Sequence, residues 1–325
     1  MRYYAALAAT AVFVSSCATR PLPEDVTRLN TYAIVTKIRC EARDAVFAEL
    51  LEYLRNSNHN VSPHIISEIE KKPSIIAQFD RRRLPASIRE KVDLYANAAI
   101  VYDFNFDMSQ HSTNSLGATL NDTWSSGLFN LGISGTNERT RRNQRQFRVE
   151  DTFYKLFTNP PSCEPYSKNG TFERKRNYAY PITGYIGIQE IVDTFWRLNE
   201  DHILGNVDSD QPKVNKLADE IEFTTMNKFS TTPSTELDPA NHLKIVVVNA
   251  ESTHWRQDVH TVTIGIAVED EEVEPLEPTD KRRPTRRPSK AASAIKNANE
   301  AINELQFRNI QILNRNDLQQ LLPGF

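Results

Sequence analysis

Residues 99–109 read AIVYDFNFDMS and predict the strand around which the fold is organised. Apolar side chains occupy every second position and alternate with Asp103, Asn105 and Asp107, which is the period of an extended strand with one buried face. The apolar positions are Ile100, Tyr102, Phe104, Phe106 and Met108. A second layer must cover a face this rich in aromatic side chains.

Residues 32–55 are predicted to supply that layer. Apolar residues recur there at three- and four-residue steps, which is the pattern of an amphipathic helix, and the polar run at 56–58 ends it. Weaker helical patterns follow at 63–79 and 85–92. We therefore expect the first helix to pack on the sheet.

Further patterns complete an α+β fold. Residues 112–135 alternate small, polar and apolar side chains and predict one or two strands, and the turn-forming sequence at 135–138 separates them from a strand at 145–157. Two more helices are predicted at 181–198 and 213–229, and two more strands at 242–249 and 259–268. The prediction is an antiparallel sheet with helices packed on one face.

The N-terminus predicts export. Residues 1–16 contain the early Arg2, then an apolar run of about twelve residues, then small residues. The apolar run is shorter than the roughly 20 residues that a permanent membrane helix needs. It is typical of a secretory signal peptide, so residues 1–16 are left out of the fold.

The sequence Val14-Ser15-Ser16-Cys17 resembles the lipobox of bacterial lipoprotein precursors. The resemblance covers these residues and the apolar run before them, and Val14 stands where Leu is more usual. It implies cleavage before Cys17, a diacylglycerol on the Cys17 thiol and acylation of the new amine. Because Ala18 follows rather than Asp, it also implies sorting to the outer membrane. The alternative is an ordinary secretory signal that ends in an incidental cysteine.

Two cysteines remain after lipidation, Cys40 and Cys163. An exported chain meets an oxidising compartment, which favours pairing of two unmatched thiols. Closing a loop of about 124 residues would contribute about 4–5 kcal/mol in the chain-entropy model. Two independent thiols, one of them buried as a small apolar residue, are the alternative.

The chain divides into regions of different composition. Residues 17–30 contain prolines and no apolar period, and they predict a tether. Residues 31–268 form the predicted globular domain. Residues 269–290 are acidic, then basic, and rich in proline, which predicts a disordered linker. Residues 291–325 regain a helical pattern followed by a short apolar tail, and this helix either docks on a partner or folds back on its own domain.

Composition and motifs exclude several kinds of site. With 39 basic and 42 acidic residues the net charge is −3, so the chain lacks the basic footprint that nucleic acid requires. There is no phosphate loop or dinucleotide fingerprint, and Gly132-Ile133-Ser134-Gly135 is one residue short of a nucleophile elbow. The seven histidines form no close cluster with cysteine. We therefore predict neither a metal site nor a cofactor.

Five arginines are candidates for contact with an anion: Arg139, Arg141, Arg142, Arg145 and Arg148. They surround the predicted turn at 135–138. Arginine binds phosphate bidentately, so the cluster could recognise anionic headgroups or an envelope polyanion. A solvated hairpin tip explains the same residues.

These features favour a lipid-anchored, periplasm-facing envelope protein that binds or scaffolds a protein partner. One alternative is an envelope hydrolase whose site joins His254 or His260 to a carboxylate. Another is a hairpin over 98–150 that inserts into a membrane or pairs with copies of itself, as pore-lining hairpins do. The sequence leaves open whether the protein is an enzyme.

Overall fold

The computed structural model describes residues 20–71, 73–124, 127–163, 167–168, 171–172, 175–204, 215–235, 244–269 and 289–321. The predicted signal peptide, Cys17 and residues 270–288 of the predicted linker lie outside these ranges.

The chain forms two compact units. The core unit contains Thr31–Asn105, Gln146–Phe223 and His260–Phe325. The strand unit contains the chain up to Asn30 together with Phe106–Arg145 and Thr224–Val259.

The long helices belong to the core unit, and the first of them confirms the helix predicted at 32–55. The last one is longer than predicted, since it includes residues 307–321, where the sequence predicts only a tail. Among the described residues, the α-helices of more than four residues are α1 (Thr31–Arg55), α2 (Pro63–Lys71), α3 (Ala86–Asn97), α4 (Ile188–Glu200) and α5 (Lys290–Leu321).

One antiparallel sheet contains the long strands, which confirms the predicted α+β class. Its strands are β1 (Ala99–Trp124), β2 (Gly127–Thr152), β3 (Lys216–Thr231), β4 (Ser234–Thr235) and β5 (Lys244–Ala267). Their order is β2-β1-β5-β3, and the short β4 pairs with β5 through Ser234 opposite Asn249. A separate two-stranded ladder pairs Ser167–Lys168 with Thr171–Phe172.

The turn predicted at 135–138 is wrong, because these residues lie inside β2. β1 ends at Trp124 and β2 begins at Gly127, so residues 112–135 are shared between two long strands. Side chains from 131 to 140 are exposed, and a Cβ added at Gly135 would meet nothing within 4 Å. Turn-forming residues are tolerated here because β2 is an edge strand in water.

The helix predicted at 213–229 is also wrong, because Lys216–Thr231 forms β3. Half-buried Ile221 and Phe223 alternate with exposed Glu220 and Glu222, which is the period of a strand. Pairing with a segment distant in sequence selects the strand over the helix that local residue types also permit.

Helices cover both faces of the sheet in the core unit, whereas the sequence predicts them on one face. The ring of Phe147 stacks on that of Phe104 with centroids 5.0 Å apart, so odd-numbered residues of β2 share a face with even-numbered residues of β1. On that face, Arg39 of α1 donates to buried Asp151 of β2 from Nε at 2.7 Å and from Nη2 at 2.9 Å.

Helix α5 packs on the opposite face. The cluster that joins it to the sheet consists of Ala99, Val101, Ala267, Ala294, Ala298 and Ile302. A Cβ on Gly265 of β5 would lie 2.4 Å from the carbonyl oxygen of Ala298, so glycine is required for this close approach. The start of the terminal helix therefore folds back on its own unit, which is one of the two arrangements that the sequence leaves open.

The carboxylate of Glu41 in α1 holds the start of α4. It accepts hydrogen bonds from the backbone N–H groups of Gly187 and Ile188 at 2.7 Å and of Ile186 at 3.1 Å. These groups lack partners within the helix, and a carboxylate also complements the positive end of the helix dipole. Burial raises the pKa of Glu41, and the three hydrogen bonds oppose that rise.

Cys40 and Cys163 form a disulfide, the pairing predicted from the sequence. Their Cα atoms lie 5.6 Å apart and the two positions are separated by 123 residues. Both are buried, and Tyr185 packs against them. The bridge joins the middle of α1 to the segment that follows β2.

Replacing Cys40 and Cys163 together by Ala should lower the free energy of unfolding by about 3–5 kcal/mol, because the unfolded chain would no longer be closed into a long loop. Urea unfolding of the two proteins measures the difference. Wild-type protein in a reducing agent should unfold like the double variant. Equal midpoints for oxidised and reduced wild type would contradict this expectation.

Candidate interaction surface

The strand unit is a sheet with few buried side chains. Among its residues whose side chains the structure describes, the buried ones are Pro21, Pro23, Phe106, Met108 and Asp258. An independently stable sheet normally has an apolar face packed against another layer. This unit therefore offers broad surface to a partner.

One face of the strand unit exposes apolar side chains. Arg142 of β2 pairs with Asp107 of β1, so even-numbered residues of β2 share a face with odd-numbered residues of β1. The other face carries Leu116 from β1 with Leu131 and Ile133 from β2. Their exposed fractions are 60%, 42% and 61%. Grouped exposed apolar side chains are a feature of interaction sites.

The opposite face is polar and hydrogen-bonded. The ring of His111 stacks on that of Trp255 with centroids 5.3 Å apart. Its Nδ1 lies 2.9 Å from Oγ1 of Thr140 and its Nε2 lies 2.8 Å from Oγ1 of Thr113. Glu138 is 3.4 Å from the same Nε2. These contacts link β1, β2 and β5, and they give the two faces different chemistry.

The histidines of the hydrolase alternative belong to different units. Exposed His254 lies on β5, with Nδ1 2.8 Å from Oγ of Ser112 and Nε2 2.9 Å from Oγ of Ser252. Buried His260 has Nε2 2.5 Å from the hydroxyl of Tyr180. A hydroxyl therefore lies beside a histidine at His254, but on an exposed strand face, whereas a hydrolase site is normally concave.

Four of the five candidate arginines lie in the strand unit along β2. By strand alternation Arg139, Arg141 and Arg145 share the face of Leu131, whereas Arg142 lies on the polar face. The four side chains are therefore divided between the two faces.

The fifth candidate, Arg148, lies in the core unit and contacts α5. It donates to the carboxylate of Asp103 at 3.2 Å and to the side-chain oxygens of Asn303 at 2.8 Å and Asn299 at 3.1 Å. Its role in the structure is to connect β2 with β1 and the terminal helix.

The described start of the chain packs on the sheet of the strand unit. Arg256 of β5 donates from Nη2 to the carbonyl oxygen of Leu22 at 2.6 Å, and its Nη1 lies 3.3 Å from the carboxylate of Asp25. Residues Glu24–Thr27 form one helical turn where the sequence predicts an extended tether. No sequence signal pointed to the contacts of Arg256 with Leu22 and Asp25, because these residues are more than 230 positions away.

The core unit contains a polar cleft of about 390 Å³ between α1 and α4. Glu49, Glu52 and Arg197 contribute to its lining. Burial, together with the negative charges of Asp193 and Glu52, raises the pKa of Glu49 to about 7, and Arg197 opposes the rise. Glu49 is therefore close to half protonated at neutral pH.

Stability should depend on pH through Glu49. Its folded pKa exceeds the unfolded value, so the native state binds more protons between about pH 4.5 and 7, and stability falls as pH rises through that window. Between pH 5 and pH 8, the free energy of unfolding of the Glu49→Gln variant should fall by about 1–3 kcal/mol less than that of the wild type, with solvent screening taken into account. Urea unfolding at pH 5 and pH 8 measures it.

Glu52→Gln is the matched control, because the Glu52 side chain is 73% exposed. It should leave most of the pH dependence unchanged. The same pH dependence in Glu49→Gln as in wild type would contradict the assignment.

Within the described residues no group of three or more His, Cys, Asp and Glu side chains could hold a metal ion. None of the described helices is both long and apolar enough to cross a membrane.

Comparison with known proteins places the chain in one family. The family model described as "Uncharacterised protein y4kA" matches residues 20–325, and the chain belongs to this family. It is 76% identical over 324 residues to the y4kA protein of Sinorhizobium fredii (strain NBRC 101917 / NGR234), and the match covers 100% of both chains.

Solved structures give only weak matches. A chain of the ETEC pilotin–secretin AspS–GspD complex is 6% identical, with a TM-score of 0.26 over 55% of this chain and 51% of that chain. The competence pilus secretin PilQ of V. cholerae is 8% identical, with a TM-score of 0.23 over 56% and 64%. This chain thus spans about half to two thirds of their lengths. We base no inference on matches at this level.

Proposed function

We propose that this member of the y4kA family is a lipid-anchored cell-envelope protein that faces the periplasm and binds a protein partner through its strand unit. The observation that carries the proposal is the exposed apolar face formed by Leu116, Leu131 and Ile133. Exposed apolar side chains gain free energy when a partner removes them from water.

The contrast between the two units supports a binding role. In the core unit the same β1 has Ile100, Tyr102 and Phe104 fully buried. In the strand unit Phe106 and Met108 on the same face are still buried, but Leu116 farther along β1 is 60% exposed. Natural proteins rarely expose grouped apolar residues without use, so we assign this face to an interaction.

The anchor assignment rests on Cys17 in its lipobox-like context. Three acyl chains on one residue exceed the two signals that stable membrane attachment requires. The disulfide between Cys40 and Cys163 is consistent with the oxidising compartment that such a lipoprotein would occupy. Its destination in this proposal is the outer membrane.

A second candidate function is insertion of the β1–β2 hairpin into a membrane. The alternation that favours it is found at the end of the hairpin: Leu116, Leu131 and Ile133 lie on one face, and the other face is polar. Farther along β2, Arg139, Arg141 and Arg145 share the face of Leu131. Strands that border lipid show this alternation of apolar and polar positions. Sedimentation of the Cys17→Ser protein with phospholipid vesicles tests this candidate, because that protein has no lipid of its own.

Replacing Cys17 by Ser should release the protein from membranes. After cell fractionation, wild type is expected with the outer membrane and the variant in the soluble periplasmic fraction. The variant with Cys40 and Cys163 both changed to Ser is the control, and it should stay with the membrane. Retention of the Cys17→Ser protein in the membrane fraction would refute the anchor.

Ile133→Asn should weaken partner binding by about tenfold, because it places a polar group on the apolar face. The matched control is Ser134→Asn, which introduces the same side chain on the opposite face of the same strand without removing an apolar one. Cross-linking in cells, followed by comparison of cross-linked species between the two variants, measures the effect. Equal recovery of these species from both variants would exclude the apolar face as the binding surface.

A further inference from the structure

We propose that the polar cleft between α1 and α4 binds an aliphatic amine that carries two or more ammonium groups. This inference concerns the core unit, so it is independent of the proposed function, which rests on the strand unit and on Cys17. The ligand class follows from a buried carboxylate, the charge of the lining, the ends of two helices and an aromatic wall.

Glu49 is a buried carboxylate in the lining of this cleft, and it is only 6% exposed. Among the residues that the structure describes, none donates a hydrogen bond to Glu49 or forms an ion pair with it. The nearby Arg197 is paired with Asp193 instead, from Nε at 2.6 Å, and lies 3.8 Å from Glu52. A carboxylate that is buried without a partner loses free energy of hydration, which a bound cation would offset.

The cleft has an excess of negative charge around Glu49. Among the described side chains that line it are four carboxylates and one guanidinium, which belong to Glu49, Glu52, Glu200, Asp201 and Arg197. Glu200 is already engaged, because its Oε1 accepts from the hydroxyl of Tyr95 at 2.5 Å and lies 3.3 Å from Nζ of Lys91. The charge that remains suits a ligand with more than one positive group.

Both helices end at the cleft. α1 ends at Arg55 and α4 ends at Glu200, and the residues that follow them, Asn56 and Asp201, also line the cleft. The last carbonyl groups of a helix lack partners within it, and its C-terminal end carries a partial negative charge. The two helix ends therefore add to the preference for a cation.

Aromatic rings in the lining suit the alkyl part of the ligand. Those of Tyr53 and Trp196 have centroids 6.0 Å apart, and Trp196 is held by stacking on Tyr95 at 3.8 Å. Such rings pack against methylene groups and attract ammonium groups. The volume of about 390 Å³ lies within the range of about 300–1,000 Å³ for small-molecule sites. These features favour an organic amine over a metal ion.

His59 adds a hydrogen-bond acceptor to the lining. Its Nδ1 lies 2.7 Å from the carbonyl oxygen of Tyr53, so Nδ1 carries the proton and donates it. The Nε2 atom of the neutral ring is therefore an acceptor, which is the kind of group that an ammonium ligand requires.

Isothermal titration calorimetry tests the site in the full chain that carries Cys17→Ser. Spermidine is the probe, and butylamine, which has one ammonium group, is its matched control. Spermidine should bind at least tenfold more tightly than butylamine. Glu49→Gln should weaken spermidine binding at least tenfold, whereas Glu70→Gln on α2, outside the cleft lining, should leave it unchanged. Circular dichroism confirms that each variant is folded.

Binding should also depend on pH through Glu49. The titratable and charged groups that act on it or line the same cleft are Glu52, His59, Asp193, Arg197, Glu200 and Asp201. Because the pKa of Glu49 is raised to about 7 and the ligand pairs with the ionised form, affinity should rise from pH 6 to pH 7.5. His59→Gln should keep this rise and Glu49→Gln should lose it.

Equal affinity of wild type and Glu49→Gln for spermidine, or equal affinity of wild type for spermidine and butylamine, would overturn the inference. So would binding of Mg²⁺ as tight as that of spermidine at the same ionic strength, because the cleft would then be an unspecific acidic surface. The proposed function is decided separately, by the fractionation of Cys17→Ser and by Ile133→Asn.

Discussion

The apolar side chains of β1 and β5 have to be buried away from water. In the core unit, helices packed on both faces of the sheet bury them. The ion pair between Arg39 and Asp151 fixes α1 on one side. Because Gly265 has no side chain, α5 can pack closely on the opposite face of the sheet. Asp151 is fully buried, and its other cation, Lys155, is farther away at 3.5 Å. Loss of Arg39 would therefore leave a buried carboxylate without its closer ion-pair partner, so this contact specifies the position of the helix as well as stabilising it.

The strand unit is formed by the continuation of the same strands, but few of its described side chains are buried. The side chains of its polar face contact one another, as those of His111 do, whereas the other face combines exposed Leu116, Leu131 and Ile133 with the contact between Ser112 and His254. In the core unit helices cover the apolar side chains of the sheet, whereas in the strand unit Leu116, Leu131 and Ile133 are exposed.

The sequence predicted the elements that have a core to pack against, and it failed where they have none. The alternation at 99–109 and the helix at 32–55 are correct because burial selects apolar residues at one period. Residues 250–258 of β5 lie in the strand unit, where no core imposes that selection, so one strand was predicted as two. Gly135 and its neighbours are also exposed, so residue types typical of a turn are tolerated in this strand, and the sequence predicted a turn there. Strand β3 is set by pairing distant in sequence, and the bonds of Arg256 to the N-terminal segment are invisible to any local pattern.

Those bonds of Arg256 have a geometric consequence for an anchored protein. Pro21 is four positions after Cys17, and even a fully extended chain of that length reaches only about 14 Å. A lipid on Cys17 would thus keep the nearby sheet within a shallow layer above the headgroups. Molecules confined to such a layer search for one another in two dimensions, which raises their effective concentration well above that in free solution.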